Sequence, residues 1–221
     1  MKFGLARTTV VLGAVLSALL STLLLSACVS VGLGADAPAQ AYHQLTDSAA
    51  PATRRAQPIV SALLLQALPA DASADTAALT YSPRPSEFAY YQFAQWTERP
   101  VRRVPRLLQQ RLEAAGLAGA VALAGDPARA DWLLTVAIES MHHDASTLPG
   151  QGRVAISVEL FDRRSRTRVA RRQFEAAVPA ASATAPAAAV AISAALTQTF
   201  NALVPWLDAE LQRATAAAAP K

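Results

Sequence analysis

Two places in this chain hold side chains whose types and spacing suit chemistry: Cys28, the only cysteine, and the run His142-His143-Asp144. Imidazoles beside a carboxylate are metal-ligand types, but adjacent residues on a strand point to opposite faces, so the pair cannot easily share one ion. The spacing places them at a strand end in a polar loop, and no metal site is expected. Acyl-transfer chemistry lacks its parts: there is no Gly-x-Ser-x-Gly elbow, and Ser-x-x-Lys is impossible with lysine only at Lys2 and Lys221. Pro149-Gly150-Gln151-Gly152 has the look of a phosphate loop without the required lysine or a following helix, and reads as a turn between strands. No catalytic residue, metal or cofactor is expected, and the chain does not read as an enzyme.

Cys28 is different, because its surroundings specify what is done to it. A basic start at Lys2 and Arg7, an apolar run and the small residues Ser26 and Ala27 describe an exported, cleaved segment over Met1–Ala27. Leu25-Ser26-Ala27-Cys28 resembles the bacterial lipobox. There Leu25, Ser26 and Ala27 are the signal-peptidase recognition residues, and the Cys28 thiol takes a diacylglyceryl group, palmitate being a typical acyl chain, before becoming the acylated N-terminus. A transmembrane anchor fits less well, since Val10–Leu25 is interrupted by Ser17 and Ser21 and is short beside the ~20 residues a spanning helix needs. Val29, rather than Asp, after the cysteine implies delivery to the inner leaflet of an outer membrane.

With the leader removed, the remaining length suits one compact domain. Loss of Lys2 and Arg7 lowers the formal charge from +4 to +2, so nucleic acid is not implied. The basic residues are almost all arginine, which reads as compositional bias rather than a patch. No disulfide is possible, and 52% hydrophobic residues leave ample material for a core. Residues 28–57 read as a lipidated tether rich in Ala, Pro, Gln and Ser, in which Ala41–Leu45 has a short alternation that could add an edge strand. The folded domain is expected over residues 58–213, with 214–221 as a frayed tail.

The elements that must support any site follow from periodicity. Ile59–Leu68, between prolines, is the first core strand. Leu79–Pro85 begins as a strand, but Pro83 and Pro85 deny donors to a central ladder and make it an edge or a loop. Glu87–Trp96 is read as loop-like. Thr97 is a plausible N-cap for an amphipathic helix in which Val101, Val104, Leu107, Leu108, Leu112 and Ala115 form one face, with Pro105 costing a bond and Gly116 the stop. A short strand near Ala120–Leu123 precedes three period-2 strands: one through Trp132, Leu134, Val136 and Ile138, one through Val154, Ile156, Val158 and Leu160, and one over Arg168–Val178. A long helix over Pro186–Leu211 carries an apolar stripe to cover their dry face, with Pro205 expected to kink it or end its ordered part. Its polar face lacks Lys and Arg, which argues for core packing or oligomer contacts over a membrane surface. The fold class is α+β: a single domain, mostly antiparallel sheet, with both helices on one face.

Two uses compete for the aromatic stretch. Phe88, Phe93 and Trp96 suit a core beside the helix. Tyr81, Arg84, Tyr90, Tyr91 and Trp96 are types enriched at interface hot spots, and on a proline-interrupted segment they are candidate partner-binding residues.

Taken in order, the lipobox, Tyr42-His43-Gln44-Leu45-Thr46, Leu79-Thr80-Tyr81, Tyr90-Tyr91 with Trp96 and Pro100, and Ala130-Asp131-Trp132-Leu133-Leu134 resemble the ABC-type transport auxiliary lipoprotein family. The resemblance spans about Tyr42 to Leu211, departing from the family pattern at His43 and Pro83-Arg84-Pro85. It implies a non-enzymatic, outer-membrane-anchored component of a lipid transport system. Its partners would be a substrate-binding protein of the mammalian-cell-entry (MCE) type and its ABC transporter, with a homo-oligomer possible by analogy to a ring-shaped partner. The rival expectation is a structural or chaperone-like envelope lipoprotein that assists assembly of an outer-membrane complex.

Overall fold

The computed structural model describes residues 38–49, 54–69 and 74–218. The leader, Cys28 and the last three residues lie outside these, and the body treated below falls within the unit Gln40–Lys221. Eight strands make one mixed sheet: β1 (Ala41–His43), β2 (Val60–Ala67), β3 (Ala78–Arg84), β4 (Glu87–Trp96), β5 (Ala118–Leu123), β6 (Trp132–Asp144), β7 (Gln151–Asp162) and β8 (Thr167–Pro179). Two helices, α1 (Pro100–Ala115) and α2 (Ala185–Ala218), complete the α+β domain.

The long strand β6 organises the sheet. Along one edge it pairs antiparallel with β7, which pairs antiparallel with β8, and each ladder runs twelve residue pairs. Its other edge is shared end to end: β2 runs parallel to Trp132–Val136, and β3 runs parallel to His143–Asp144. Beyond β2 lies β5, also parallel, so β2 has neighbours on both edges, as its near-continuous Val/Leu run requires. Beyond β3 lie β4, antiparallel, and β1, parallel and at the edge.

The meander matches its period-2 pattern. Leu134, Val136, Ile138, Val154, Ile156, Val158, Leu160 and Phe174 are buried beneath α2. By length and composition α2 would suffice to cross a membrane. Its stripe of Ile192, Leu196, Phe200, Leu203, Leu207 and Leu211 is almost wholly buried against the sheet, which makes it a core helix. It continues through Pro205 to Ala218, so its ordered part does not end at the proline and residues 214–218, expected in a frayed tail, are helical. Asn201, whose carbonyl Pro205 cannot bond, is an exposed residue that water can satisfy.

Three further expectations are corrected. Helix α1 has Arg99 rather than Thr97 at its N-cap, without a side-chain cap, because Pro100 occupies the first turn and holds the residue before it extended. The segment read as tether belongs to the fold from β1 onward. Leu45 is in the core, and Asp47 makes a two-pronged ion pair with Arg111 of α1, at 2.6 and 2.7 Å, with both side chains about one-tenth exposed. Arg111 also donates to Asn201 of α2, so one guanidinium fastens three elements. Finally, β3 is not an edge and Glu87–Trp96 is not a loop.

Candidate functional site

Strands β3 and β4 form a hairpin whose turn, Pro85-Ser86, is closed by the Arg84–Glu87 pairing, with Ser86 at φ 65°. The two prolines do no harm because β3 meets β6 only at Tyr81 and Ser82, before Pro83. A large bulge follows: Ala78 to Thr80 on β3 opposes Gln95 to Tyr90 on β4, so β4 spends three extra residues.

This geometry sorts the aromatics. Trp96 is 3% exposed and belongs to the core. Phe88 and Tyr90, two residues apart and therefore on one face, are 50% and 55% exposed. Phe93 is exposed as well, so of the three aromatics expected in the core only Trp96 is there. Tyr42 of β1, in register with Gln95 and flanked by residues aligned with buried Ala94 and Trp96, is 64% exposed. Arg84 stands at the hairpin tip with its charge on Glu87.

Tyr81, Tyr91 and His143 meet on the opposite face. The tyrosine rings lie 4.9 Å apart, and the Tyr91 hydroxyl is 2.8 Å from His143 Nδ1. His143 is fully buried inside β6, not in a loop. Its Nε2 lies 3.1 Å from the Pro149 carbonyl, which can only accept. Nε2 therefore carries the proton, and in the neutral ring Nδ1 accepts from Tyr91. Burial lowers the His143 pKa against the smaller opposing effects of the Pro149 carbonyl and Asp144. Burial, reinforced by Tyr81, raises that of Tyr91, and so the phenol keeps the proton it donates.

The loop after β6 is built around this imidazole. Gly150 has φ 89°, and a Cβ there would lie 2.3 Å from His143 Nε2. The glycine-rich run thus ends the turn between β6 and β7 at Pro149-Gly150 and begins β7 at Gln151-Gly152.

His142 points to the other face, against the edge of Phe88 with ring centroids 5.2 Å apart. Burial is the main cause of its lowered pKa; Asp144 opposes the shift, while Arg153 and His143 add to it. Asp144 accepts from Ser146, Gln151 and Arg153. Among the described residues no group of three or more His, Cys, Asp or Glu side chains could hold a metal ion.

The imidazoles make stability depend on pH. Both histidines have folded pKa values below the ordinary value of about 6.5. Above that value neither state binds the proton. As pH falls below it the unfolded chain gains protons that the folded one resists, so stability drops toward the folded-state values. The melting temperature should decline from pH 7 to pH 5, and His142→Gln/His143→Gln should flatten this slope. An unchanged slope in the double variant would count against neutral buried rings.

The model of the ABC-type transport auxiliary lipoprotein component matches residues 43–204, most of the chain. The chain belongs to this family. The auxiliary lipoprotein resembles the crystal structure of protein XCC0632 from Xanthomonas campestris, of the DUF330 family model, with a TM-score of 0.70 and 23% identity over 79% of this chain and 99% of that one. It also resembles the crystal structure of an uncharacterised protein, with a TM-score of 0.60 and 12% identity over 76% and 99% of the two chains. These likenesses concern the fold. No curated protein matches the chain. The family is one of transport auxiliary lipoproteins, not a known class of enzymes. Leu25, Ser26, Ala27 and Cys28 lie outside the described residues.

Proposed function

We propose that this auxiliary lipoprotein, held by acyl chains on Cys28 at the periplasmic face of an outer membrane, docks the periplasmic end of an MCE-type lipid transporter and works without covalent chemistry. The observation that carries this reading is the pair Phe88 and Tyr90, half-exposed aromatics on a hairpin whose other face is pinned by the Tyr91–His143 hydrogen bond. Large aromatics held rigidly in water lose little side-chain entropy on binding and bury much area, the profile of an interface anchor. Tyr42 extends the same outward surface onto β1. Of the sequence-flagged candidates, Tyr90 and Arg84 face solvent, Tyr81 and Tyr91 support them from beneath, and Trp96 anchors β4 in the core.

A photo-crosslinking residue at Tyr90 tests this in cells. The expected adduct contains an MCE-domain protein. Adducts only with an outer-membrane barrel would favour an assembly factor instead, and no adduct from either Phe88 or Tyr90 would remove the docking surface.

A further inference from the structure

Eleven consecutive residues, Asp162 to Arg172, contain six arginines and one carboxylate. Their net charge exceeds that of the whole chain after leader removal, so the rest of the surface is net acidic and the fold concentrates positive charge on the β7–β8 hairpin. The arginines divide by partner. Arg168 and Arg171 share Glu159, at 3.0 and 3.5 Å, while Arg172 lies over the Phe174 ring rather than on a carboxylate. Arg164 pairs with Asp131, and Asp162 accepts from the Arg164 backbone N–H and from Ser165. Both acids at the turn thereby have their hydrogen-bond and ion-pair partners without the guanidiniums of Arg163 and Arg166. The Arg163 guanidinium hydrogen-bonds the neutral Ala130 carbonyl, at 2.6 Å, and feels Asp131 without forming an ion pair with it, and Arg166 has no ion pair among the described residues.

These two guanidiniums, neither held in an ion pair among the described residues, border a hollow of about 540 Å³ whose lining includes Leu133 and Phe161 along with Asp131 and Asp162. A second hollow of about 270 Å³, lined by Ile59, Val60 and Trp132, shares Asp131, Asp162 and Arg164 with it. Arg166 also holds φ 57°, the left-handed region where glycine would sit with less strain. A planar guanidinium fork matches a phosphate oxygen pair, and an apolar floor behind it suits a ligand whose phosphate is joined to hydrocarbon. A free acidic protein segment would use the charge and leave the floor unused.

We infer that the β7–β8 turn is a binding site for a phosphate group of the lipid-headgroup type, with Arg163 and Arg166 holding the anion, the Arg164–Asp131 pair forming one wall, and Leu133 and Phe161 receiving the adjoining apolar part. This site lies apart from the aromatic hairpin and does not depend on the acyl anchor.

The chain from Val29 to Lys221, which keeps the unit Gln40–Lys221 entire and lacks the leader and Cys28, is the material for the test. It should co-sediment with vesicles containing phosphatidylglycerol and much less with pure phosphatidylcholine. A basic residue at an anionic surface contributes about 1 kcal/mol, a factor of roughly five, so Arg163→Gln/Arg166→Gln should weaken vesicle binding about 25-fold. The variant Arg54→Gln/Arg102→Gln removes the same charge elsewhere and should lose far less; an equal loss would replace the site with diffuse attraction and overturn the proposal. Titration with inorganic phosphate and with glycerol 1-phosphate separates the sources. Saturable binding of the latter, abolished by Arg163→Gln/Arg166→Gln, assigns the headgroup, and equal saturation by inorganic phosphate assigns the free anion. No preference for phosphatidylglycerol and no response to either phosphate would overturn the inference. Loss of these responses with Tyr90 crosslinking intact would leave the docking reading standing.

Discussion

Cys28→Ala should move the protein from the membrane fraction to the soluble periplasmic extract without changing its melting temperature. The proposed anchor on Cys28 would carry two or three acyl chains, each contributing ~0.8 kcal/mol per buried methylene, whereas a single chain gives only reversible attachment. Cys28 is not part of the unit Gln40–Lys221 whose core is described above, so that core should keep its stability. Nor can α2 take over as an anchor, because its apolar stripe is spent on the sheet. Vesicle attraction through Arg163 and Arg166 is salt-sensitive and should be removed by a high-salt wash. Envelope-barrier function should be lost together with anchoring. A Cys28→Ala protein that stays in the washed membrane pellet, or that complements a deletion while soluble, would sink the mooring mechanism.

The largest loss of stability should come from one methyl group, Gly152→Ala. A Cβ at Gly152 would lie 2.3 Å from both the Ala191 carbonyl carbon and the Ile192 nitrogen, backbone atoms of α2 that cannot swing aside. The helix would have to lift from β7 where Ala191 and Ile192 are buried, opening the packing over Val154 and Ile156. Overpacking against flexible side chains costs about 1–3 kcal/mol, and against fixed backbone the upper end or more is expected, here ~3 kcal/mol. For a chain of this size that lowers the melting temperature by roughly 6–12 °C. Gly125→Ala is the comparison: Gly125 has φ 107° but nothing within 4 Å of its would-be Cβ, so it reports backbone strain alone and should cost about 1 kcal/mol. Equal melting temperatures for wild type and Gly152→Ala would show that α2 does not press on β7 as described.

The same glycine shows where sequence reading stops. Gly152 opens a strand whose alternation, Val154 to Leu160, is plain in the sequence, yet nothing local says that a helix nearly forty residues later requires it to be bare. The Asp47–Arg111 pair is a similar case, since 64 residues separate the partners and the acid stood in what read as a tether. Pro83 and Pro85 argued against a paired strand at Leu79–Pro85. The pairing survives because β6 reaches only Tyr81 and Ser82, a register that no local signal encodes. The bulge in β4 moved Phe88 and Phe93 out of the core reading, because three extra residues reset which side chains face inward. The arginines of the β7–β8 hairpin were visible as composition, and became a patch only when the turn set Arg163 and Arg166 beside Leu133 and Phe161.

Local periodicity and punctuation alone determined the meander, both helices and the α+β class, because each depends on residues within a few positions of one another. The family resemblance was equally legible, resting on the order of short motifs along the chain. Only the tertiary structure decided which aromatics meet water, that His143 is a buried neutral partner of Tyr91, and which guanidiniums lack a carboxylate. Those outcomes depend on register and on side chains brought together across tens of residues. Burial and pairing are properties of neighbours in space, and neighbours in space follow from the pairing of β6 with β2, β3 and β7 at once.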